Sequence, residues 1–158
     1  MPYLQGENPR PEGCLFCQKL KQEDEEAHIL YRGDHCFVIL NRFPYNNGHL
    51  MVVPFDHVGS LEDLDVATQA EMMQVTDLSL RVLRKTYEPD GFNLGMNIGS
   101  AAGAGIADHV HLHVVPRWNG DTNYMTVVGH TRTIPEWMEE TYDRLRPLFD
   151  GFAQSPAT

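Results

Sequence analysis

The sequence His109-Val110-His111-Leu112-His113-Val114-Val115 alternates imidazole and apolar side chains within one short segment. Alternate residues of a β-strand share a face, so the pattern predicts a strand with three imidazoles on one face, roughly 6–7 Å apart. The intervening apolar side chains then face the core. Three imidazoles are costly to bury together unless they are hydrogen-bonded, charged or bound to a metal. We therefore expect this strand to carry a functional site.

Two chemistries suit this arrangement of histidines. Two or three imidazoles can bind a metal ion. Imidazole is also a good nucleophile at neutral pH, and it can attack phosphorus to form a phosphoramidate that water or phosphate later cleaves. A polar strand face in contact with solvent is the alternative without chemistry, but the segment holds no other residue typical of a surface. From these residues alone, both chemistries remain open.

The flanking sequence predicts a mainly antiparallel sheet combined with two helices. Strands are predicted at His28–Tyr31, Cys36–Leu40, His49–Pro54, Phe92–Ile98 and His109–Val115, where Pro116 would end the last one, with a further candidate at Tyr124–Val128. An apolar face at near-helical spacing predicts a long helix over Leu64–Glu88. Thr133 and Glu136 fit a capping box for a C-terminal helix, with Trp137, Thr141, Leu145 and Leu148 on one side. The order β-β-β-α-β-β-α predicts an α+β fold.

Composition limits the classes of partner. The 158 residues, 42% of them apolar, predict a single domain at residues 13–150, with a flexible leader at 1–12 and a flexible tail at 151–158. The chain has no apolar run of about 18 residues and no signal peptide, so we expect a cytoplasmic protein without a membrane partner. The formal charge of -10 disfavours nucleic acid. A site for a phosphate compound would have to be locally positive.

The histidine segment resembles the signature of the histidine-triad superfamily, His-φ-His-φ-His-φ-φ with φ apolar, at every position. The resemblance covers about residues 14–150. The continuation through Pro116-Arg117-Trp118 and Asn119-Gly120-Asp121 looks most like the bacterial diadenosine tetraphosphate phosphorylases, and the fragile-histidine-triad hydrolases share its Pro-Arg step. The resemblance implies the histidine-triad fold, with a five-stranded sheet, a long helix and a C-terminal helix. It also implies a homodimer.

The resemblance further implies roles for individual residues. His111 would be the nucleophile that takes the nucleoside monophosphate, His113 would bond the phosphate or leaving group, and His49 would be a fourth histidine beside them. The nucleotide-binding residues would be Leu15, Phe16 and Ile39 around the base, Asn41 at the ribose, and Asn97, Gly103 and Gly105 at the phosphate. Many relatives carry a serine or threonine just before the histidines. The stretch Gly105-Ile106-Ala107-Asp108 lacks that hydroxyl, unless Ser100 supplies it.

Cys14 and Cys17 form a Cys-x-x-Cys pair, which has metal-ligand spacing but equally fits a turn with two reduced thiols. The resemblance supplies two further ligands. Several bacterial histidine-triad proteins bind zinc through such a pair, a histidine after the third strand, and the first histidine of the triad. Those positions are His57 and His109 here. A Cys2His2 set is closed, so the implied zinc would be structural.

These features lead to the hypothesis of a nucleotidyl transferase or hydrolase acting on the α-phosphate of a purine nucleotide or dinucleoside polyphosphate. His111 would carry the nucleotidyl group and pass it to phosphate or to water, and residues 116–121 favour phosphate. Three alternatives remain: hydrolysis of nucleoside phosphoramidates, a nucleotide-binding sensor or interaction module, and a metal-binding protein whose triad provides the ligands. Arg117 fits either a contact with a distal phosphate or an ion pair with a surface carboxylate.

Overall fold

The computed structural model describes residues 13–122 and 136–154 and contains one antiparallel sheet in the order β1-β2-β3-β5-β4. The strands are β1 Ile29–Arg32, β2 Cys36–Leu40, β3 Leu50–Pro54, β4 Gly91–Met96 and β5 Leu112–Arg117. The helices are α1 Leu15–Lys19, α2 Asp24–Ala27, α3 Val66–Tyr87 and α4 Met138–Ala153, with single 3-10 turns at Leu61–Asp63 and Ser100–Ala102. The predicted α+β fold and its five-stranded sheet are confirmed.

Strand alternation gives the sheet two different faces. Val52, Leu112 and Val114 belong to the main core, which α3 and α4 cover with Met72, Val82, Leu145 and Phe149. The opposite face holds a smaller apolar cluster that includes Phe16 of α1, Ile39 and Met51. Met51 pairs with His113 across β3 and β5. The sequence alternation therefore directs the apolar residues to the long helices and His113 to the opposite face, as predicted.

The two long helices are held by local signals and by burial. The Asp65 carboxylate accepts a hydrogen bond from Thr68 N at 2.7 Å and caps α3. The C-terminal helix begins at Met138, where Glu140 accepts from Trp137 N at 3.3 Å. Trp137 precedes the helix as its N-cap residue and is 76% exposed, whereas Thr141 and Leu145 are buried. The predicted cap at Thr133 and strand at 124–128 lie outside the described residues.

The histidine strand is shifted from its predicted limits. It begins at Leu112, not His109, because the preceding chain leaves the β3 ladder and Val110 N donates to Val58 O at 2.7 Å. It also continues through Pro116, which was predicted to end it. Because β3 pairs with β5 only as far as Val114, no neighbouring strand needs an N–H from Pro116 on that side. Among the described residues, no helix is long and apolar enough to span a bilayer.

Candidate functional site

His111 is buried and held in one tautomer. Its Nδ1 lies 2.8 Å from the carbonyl oxygen of His109, which can only accept, so Nδ1 carries the proton. The lone pair is therefore on Nε2. Burial lowers the pKa of His111, which keeps the ring neutral. Phe16 packs against this ring with its centroid 5.0 Å away. A buried, neutral imidazole with a defined lone pair is suited to nucleophilic attack.

His49 and His113 form a hydrogen-bonded chain whose direction is set by the backbone. Tyr45 N donates to His49 Nδ1 at 3.0 Å, so His49 carries its proton on Nε2. That Nε2–H donates to His113 Nδ1 at 2.9 Å, which leaves the His113 proton on its own Nε2. Burial lowers the pKa of His49 to about 3 and that of His113 to about 4, so both rings are neutral near pH 7. His113 therefore presents an N–H donor beside His111, whose ring centroid is 4.9 Å away.

A second cluster joins the four residues predicted as metal ligands. One ligand atom from each of Cys14, Cys17, His57 and His109 lies within 4.8 Å of the others. His109 Nδ1 lies 3.3 Å from Cys14 Sγ and 3.8 Å from Cys17 Sγ, and His57 Nδ1 lies 3.5 Å from Cys17 Sγ. Tetrahedral bonds of about 2.3 Å to sulfur and about 2.0 Å to nitrogen imply S···N separations of roughly 3.5 Å. The residues present therefore fit a bound metal ion.

His109 belongs to this candidate metal cluster and not to the group formed by His49, His111 and His113. Its Nε2 donates to Pro54 O at 2.9 Å, which leaves the Nδ1 lone pair facing the two thiols. Phe16 packs against His109 as well, with ring centroids 5.3 Å apart. One aromatic side chain therefore touches both the metal cluster and His111. His109 and His111 therefore have different hydrogen-bond partners although only Val110 lies between them in the sequence.

An open groove extends from His113 along β4 and β5. It has a volume of about 280 Å³, and its walls include Tyr45, Asn93, Gly95, Asn97, His113 and Arg117. Gly95 pairs with His113 and Asn93 pairs with Val115, so these residues share the face of the sheet that carries His113. A Cβ atom built on Gly95 would meet nothing within 4 Å, so the space above this strand is open.

The far end of the groove is held by a polar network. Arg117 donates from Nε and Nη2 to the two Asp121 oxygens, both at 2.7 Å, and from Nη1 to Asn93 Oδ1 at 2.6 Å. Asn46 Nδ2 donates to Asp121 Oδ2 at 2.7 Å and to Pro116 O at 2.9 Å. The Arg117 guanidinium holds the pKa of Asp121 well below its usual range. Of the two interpretations of Arg117, the ion pair with a carboxylate is present.

The other residues predicted to bind nucleotide lie in three places. Phe16 and Ile39 are buried at 1% and 4% exposure, and Leu15 is half-buried. Asn41 contacts the His49 ring through Nδ2 at 3.4 Å, and its Oδ1 accepts from Phe43 N at 3.0 Å. Gly103, Gly105 and Ser100 are exposed in the loop before the histidines. Asn93, which lines the groove, was not predicted as a site residue, although its alternation with Gly91, Gly95 and Asn97 is visible in the sequence.

Comparisons with known proteins agree with this geometry. The sequence profile of the HIT domain family matches residues 22–120. The AP-4-A phosphorylase of Mycobacterium tuberculosis (strain ATCC 25618 / H37Rv) is 46% identical over 126 residues, which is 80% of this chain but only 65% of that protein. The adenylylsulfatase HINT3 of Arabidopsis thaliana is 34% identical over 108 residues, 68% of this chain and 54% of that protein.

A solved structure supports the same relationship. A zinc-bound histidine triad family protein from Mycobacterium smegmatis superposes with a TM-score of 0.71 at 30% identity, over 89% of this chain and 96% of that one. The similarity therefore extends over most of both chains.

Proposed function

Because this chain belongs to the histidine-triad (HIT domain) family, we propose that it transfers the nucleotidyl group of a dinucleoside polyphosphate through a covalent bond to His111. The hydrogen bond from His111 Nδ1 to His109 O carries the proposal, because it leaves Nε2 as the only nucleophilic nitrogen of the ring. The AP-4-A phosphorylase at 46% identity supports the substrate class.

In the first half-reaction, His111 Nε2 attacks the α-phosphorus, an N–P bond forms, and the bond to the bridging oxygen breaks. The bonding electrons leave with the rest of the polyphosphate chain. His113 donates a hydrogen bond through Nε2–H to a phosphate oxygen or to the departing oxygen. The His111 ring becomes positively charged, and its Nδ1–H bond to His109 O stabilises that charge.

In the second half-reaction, inorganic phosphate attacks the nucleotidyl group and the N–P bond breaks. With diadenosine tetraphosphate the products are ATP from the first step and ADP from the second. If water attacks instead of phosphate, the second product is AMP. We propose phosphate as the acceptor, on the strength of the phosphorylase relative and of residues 116–121. Product analysis with and without phosphate tests this choice, and AMP formed in saturating phosphate would contradict it.

His111→Asn tests the covalent step. We expect turnover of diadenosine tetraphosphate to fall by more than about 1,000-fold while nucleotide binding persists, because asparagine cannot form the N–P intermediate. The matched control is His35→Asn at an exposed position. Wild-type protein quenched without phosphate should carry one acid-labile adenylyl group on the peptide that contains His111. Turnover of the variant near the wild-type rate would refute the proposal.

We propose the nucleotide contacts as the family resemblance implies them. Asn41 would bind the ribose, Leu15 and Ile39 would border the base, and the amides of Gly103 and Gly105, with Asn97, would bind the α-phosphate. Phe16 packs against the His111 ring and so helps to hold that ring in position. Asn41→Ala should raise KM for the tetraphosphate, and an unchanged KM would exclude the ribose contact.

We propose that the metal cluster binds one structural zinc ion through Cys14, Cys17, His57 and His109. When bound, zinc in such a closed site contributes folding free energy and no open coordination position. Elemental analysis should find about one zinc per chain in the wild type and none in Cys17→Ser. Cys36→Ala, a buried cysteine outside the cluster, is the control and should keep its zinc. Zinc retained by Cys17→Ser would refute the site.

We also propose a homodimer that forms through β4. This strand is at the edge of the sheet, and Leu94 and Ile98 on and after it are 45% and 42% exposed. Exposed edge strands readily pair with a second copy of the chain. Leu94→Lys should convert a dimer to a monomer in sedimentation experiments, and an unchanged mass would exclude this edge.

A further inference from the structure

We propose that the groove beyond His113 binds the distal phosphates of the substrate's polyphosphate chain, and that Asn93 and Arg117 hold them. This inference rests on the proposed function, because it assumes that the α-phosphate is located at His111. It adds a second anion-binding position on the leaving-group side of the reacting phosphorus. The argument depends on the floor of the groove, its length and the direction of its hydrogen-bond donors.

Along β4, two glycines leave the bottom of the groove free of side chains. Gly91, Asn93 and Gly95 share the face of the sheet that carries His113, because they pair with Arg117, Val115 and His113. A Cβ atom built on either glycine would meet no atom within 4 Å. Glycine within a strand often marks a place where a ligand approaches the backbone. The two glycines keep this path open on each side of the Asn93 side chain.

The distance from the triad suits a chain of phosphates. Val115, which pairs with Asn93, is two residues beyond His113 and four beyond His111. At a strand rise of about 3.3 Å per residue, this places Asn93 roughly 7 Å from the level of His113, and the ring centroid of His111 lies 4.9 Å from that of His113. An α-phosphate between the two histidines therefore lies about 10 Å from Asn93. A short polyphosphate chain that follows the strand can reach that position.

The hydrogen bonds of Asn93 set the direction of its donors. Its Oδ1 accepts from Arg117 Nη1 at 2.6 Å, which turns the amide nitrogen away from the guanidinium. Asp121 in turn fixes the guanidinium by accepting from Nε and Nη2. Asn93 therefore presents two N–H donors, and a phosphate oxygen is a strong acceptor for them. The ion pair with Asp121 orients Arg117 and does not remove it from the groove wall.

Arg117 is the second candidate contact for a phosphate at this end of the groove. Arg117 is the only cationic side chain among the described residues that line it. The Asp121 carboxylate is occupied by Asn46 Nδ2 at 2.7 Å and by Trp118 N at 3.2 Å in addition to Arg117. The Arg117–Asp121 ion pair carries no net charge, so Arg117 would serve this end of the groove as an oriented hydrogen-bond donor and not as a source of net positive potential.

The test compares two substrates that share the reacting adenylyl group. Diadenosine tetraphosphate extends into the proposed position, whereas the p-nitrophenyl ester of AMP does not. The measured quantity is the ratio of kcat/KM for the tetraphosphate to kcat/KM for the ester. We expect Asn93→Ala to lower this ratio about 10-fold, and Asn93→Asp, which places a carboxylate beside the phosphates, to lower it further. Gln74→Ala, at an exposed position of α3 outside the groove, should leave the ratio unchanged.

The outcomes separate this inference from the proposed function. A wild-type ratio in both Asn93 variants would overturn the distal phosphate position while leaving the covalent mechanism intact. A wild-type protein that cleaves the ester and not the tetraphosphate would overturn the proposed substrate class and this inference with it. A fall in the ratio in Asn93→Ala, with circular dichroism like that of the wild type, supports the position.

Discussion

The His49–His113 pair should make the free energy of unfolding depend on pH in a defined window. Burial and the neighbouring imidazoles lower the pKa of His49 to about 3, and burial lowers the pKa of His113 to about 4. An unfolded histidine titrates near pH 6.5. Between pH 6.5 and pH 4 the unfolded chain therefore binds protons that the folded protein does not bind. The free energy of unfolding must fall as the pH falls through this window, and above pH 6.5 it should change little.

The linkage between proton binding and folding gives the size of this loss in the free energy of unfolding. At pH 5 the shift of His49 corresponds to a loss of about 2 kcal/mol relative to pH 7.5. His113 is partly open to solvent, which screens its interactions, so we discount its share to about 1 kcal/mol. Together the two histidines lower the free energy of unfolding by about 3 kcal/mol at pH 5 relative to pH 7.5. This is a large part of the stability of an ordinary domain.

Urea denaturation at half-unit steps from pH 7.5 to pH 5 measures this loss. In His49→Gln the slope between pH 6 and pH 5 should fall by about 1 kcal/mol per pH unit, because one titrating group has been removed. His35→Gln, at an exposed position, is the control and should have the wild-type slope. Equal slopes in the wild type and His49→Gln would show that burial does not keep His49 neutral.

Two further predictions concern the backbone. Gly48 has φ +71, and a Cβ there would lie 2.9 Å from the Tyr87 ring, so Gly48→Ala should cost about 3 kcal/mol in thermal or urea unfolding. Gly120→Ala, at φ +81 with nothing within 4 Å, should cost only about 1 kcal/mol, and equal losses would exclude the contact with Tyr87. Asp65→Ala removes the acceptor for Thr68 N at the start of α3 and should cost about 1 kcal/mol, while Asp65→Asn should retain most of the stability.

Side-chain alternation predicted the parts of the molecule that depend on local geometry. In β5, Leu112 and Val114 face the long helices and His113 lies on the opposite face of the sheet, as a period of two requires. The spacing of Cys14 and Cys17 alone did not predict the metal cluster, because the pair fits a turn with two reduced thiols equally well. The family resemblance supplied His57 and His109, and the fold brings all four residues together.

Backbone partners could not be read from the sequence. The tautomer of His109 depends on Pro54 O and that of His49 on Tyr45 N, and neither contact leaves a trace in the pattern of side chains. Phe16 illustrates a second limit. The sequence identifies Phe16 only as an apolar residue, and its 1% exposure and its contact with the His111 ring become visible only in the folded chain.

The predicted start of β5 was three residues too early for a related reason. Residues 109–111 continue the alternating pattern, but the loop at Val58 takes the N–H of Val110 that a longer strand would give to its neighbour. Pro116 was wrongly predicted to end the strand. Whether a proline interrupts a strand depends on which neighbouring strand would need its missing N–H, and this is a property of the assembled sheet.

In the proposed reaction, the chain of hydrogen bonds from Tyr45 N through His49 to His113 limits which leaving groups can depart. The chain ends at a backbone amide, which does not give up its proton, so nothing behind His113 replaces a proton that His113 releases. A neutral His113 can polarise the departing oxygen, but it cannot protonate it without becoming an imidazolate. Polyphosphate tolerates this restriction, because a terminal phosphate has its second pKa near 6 and departs as an anion. An amine must be protonated before it departs, so the direction of two hydrogen bonds favours anhydrides over phosphoramidates.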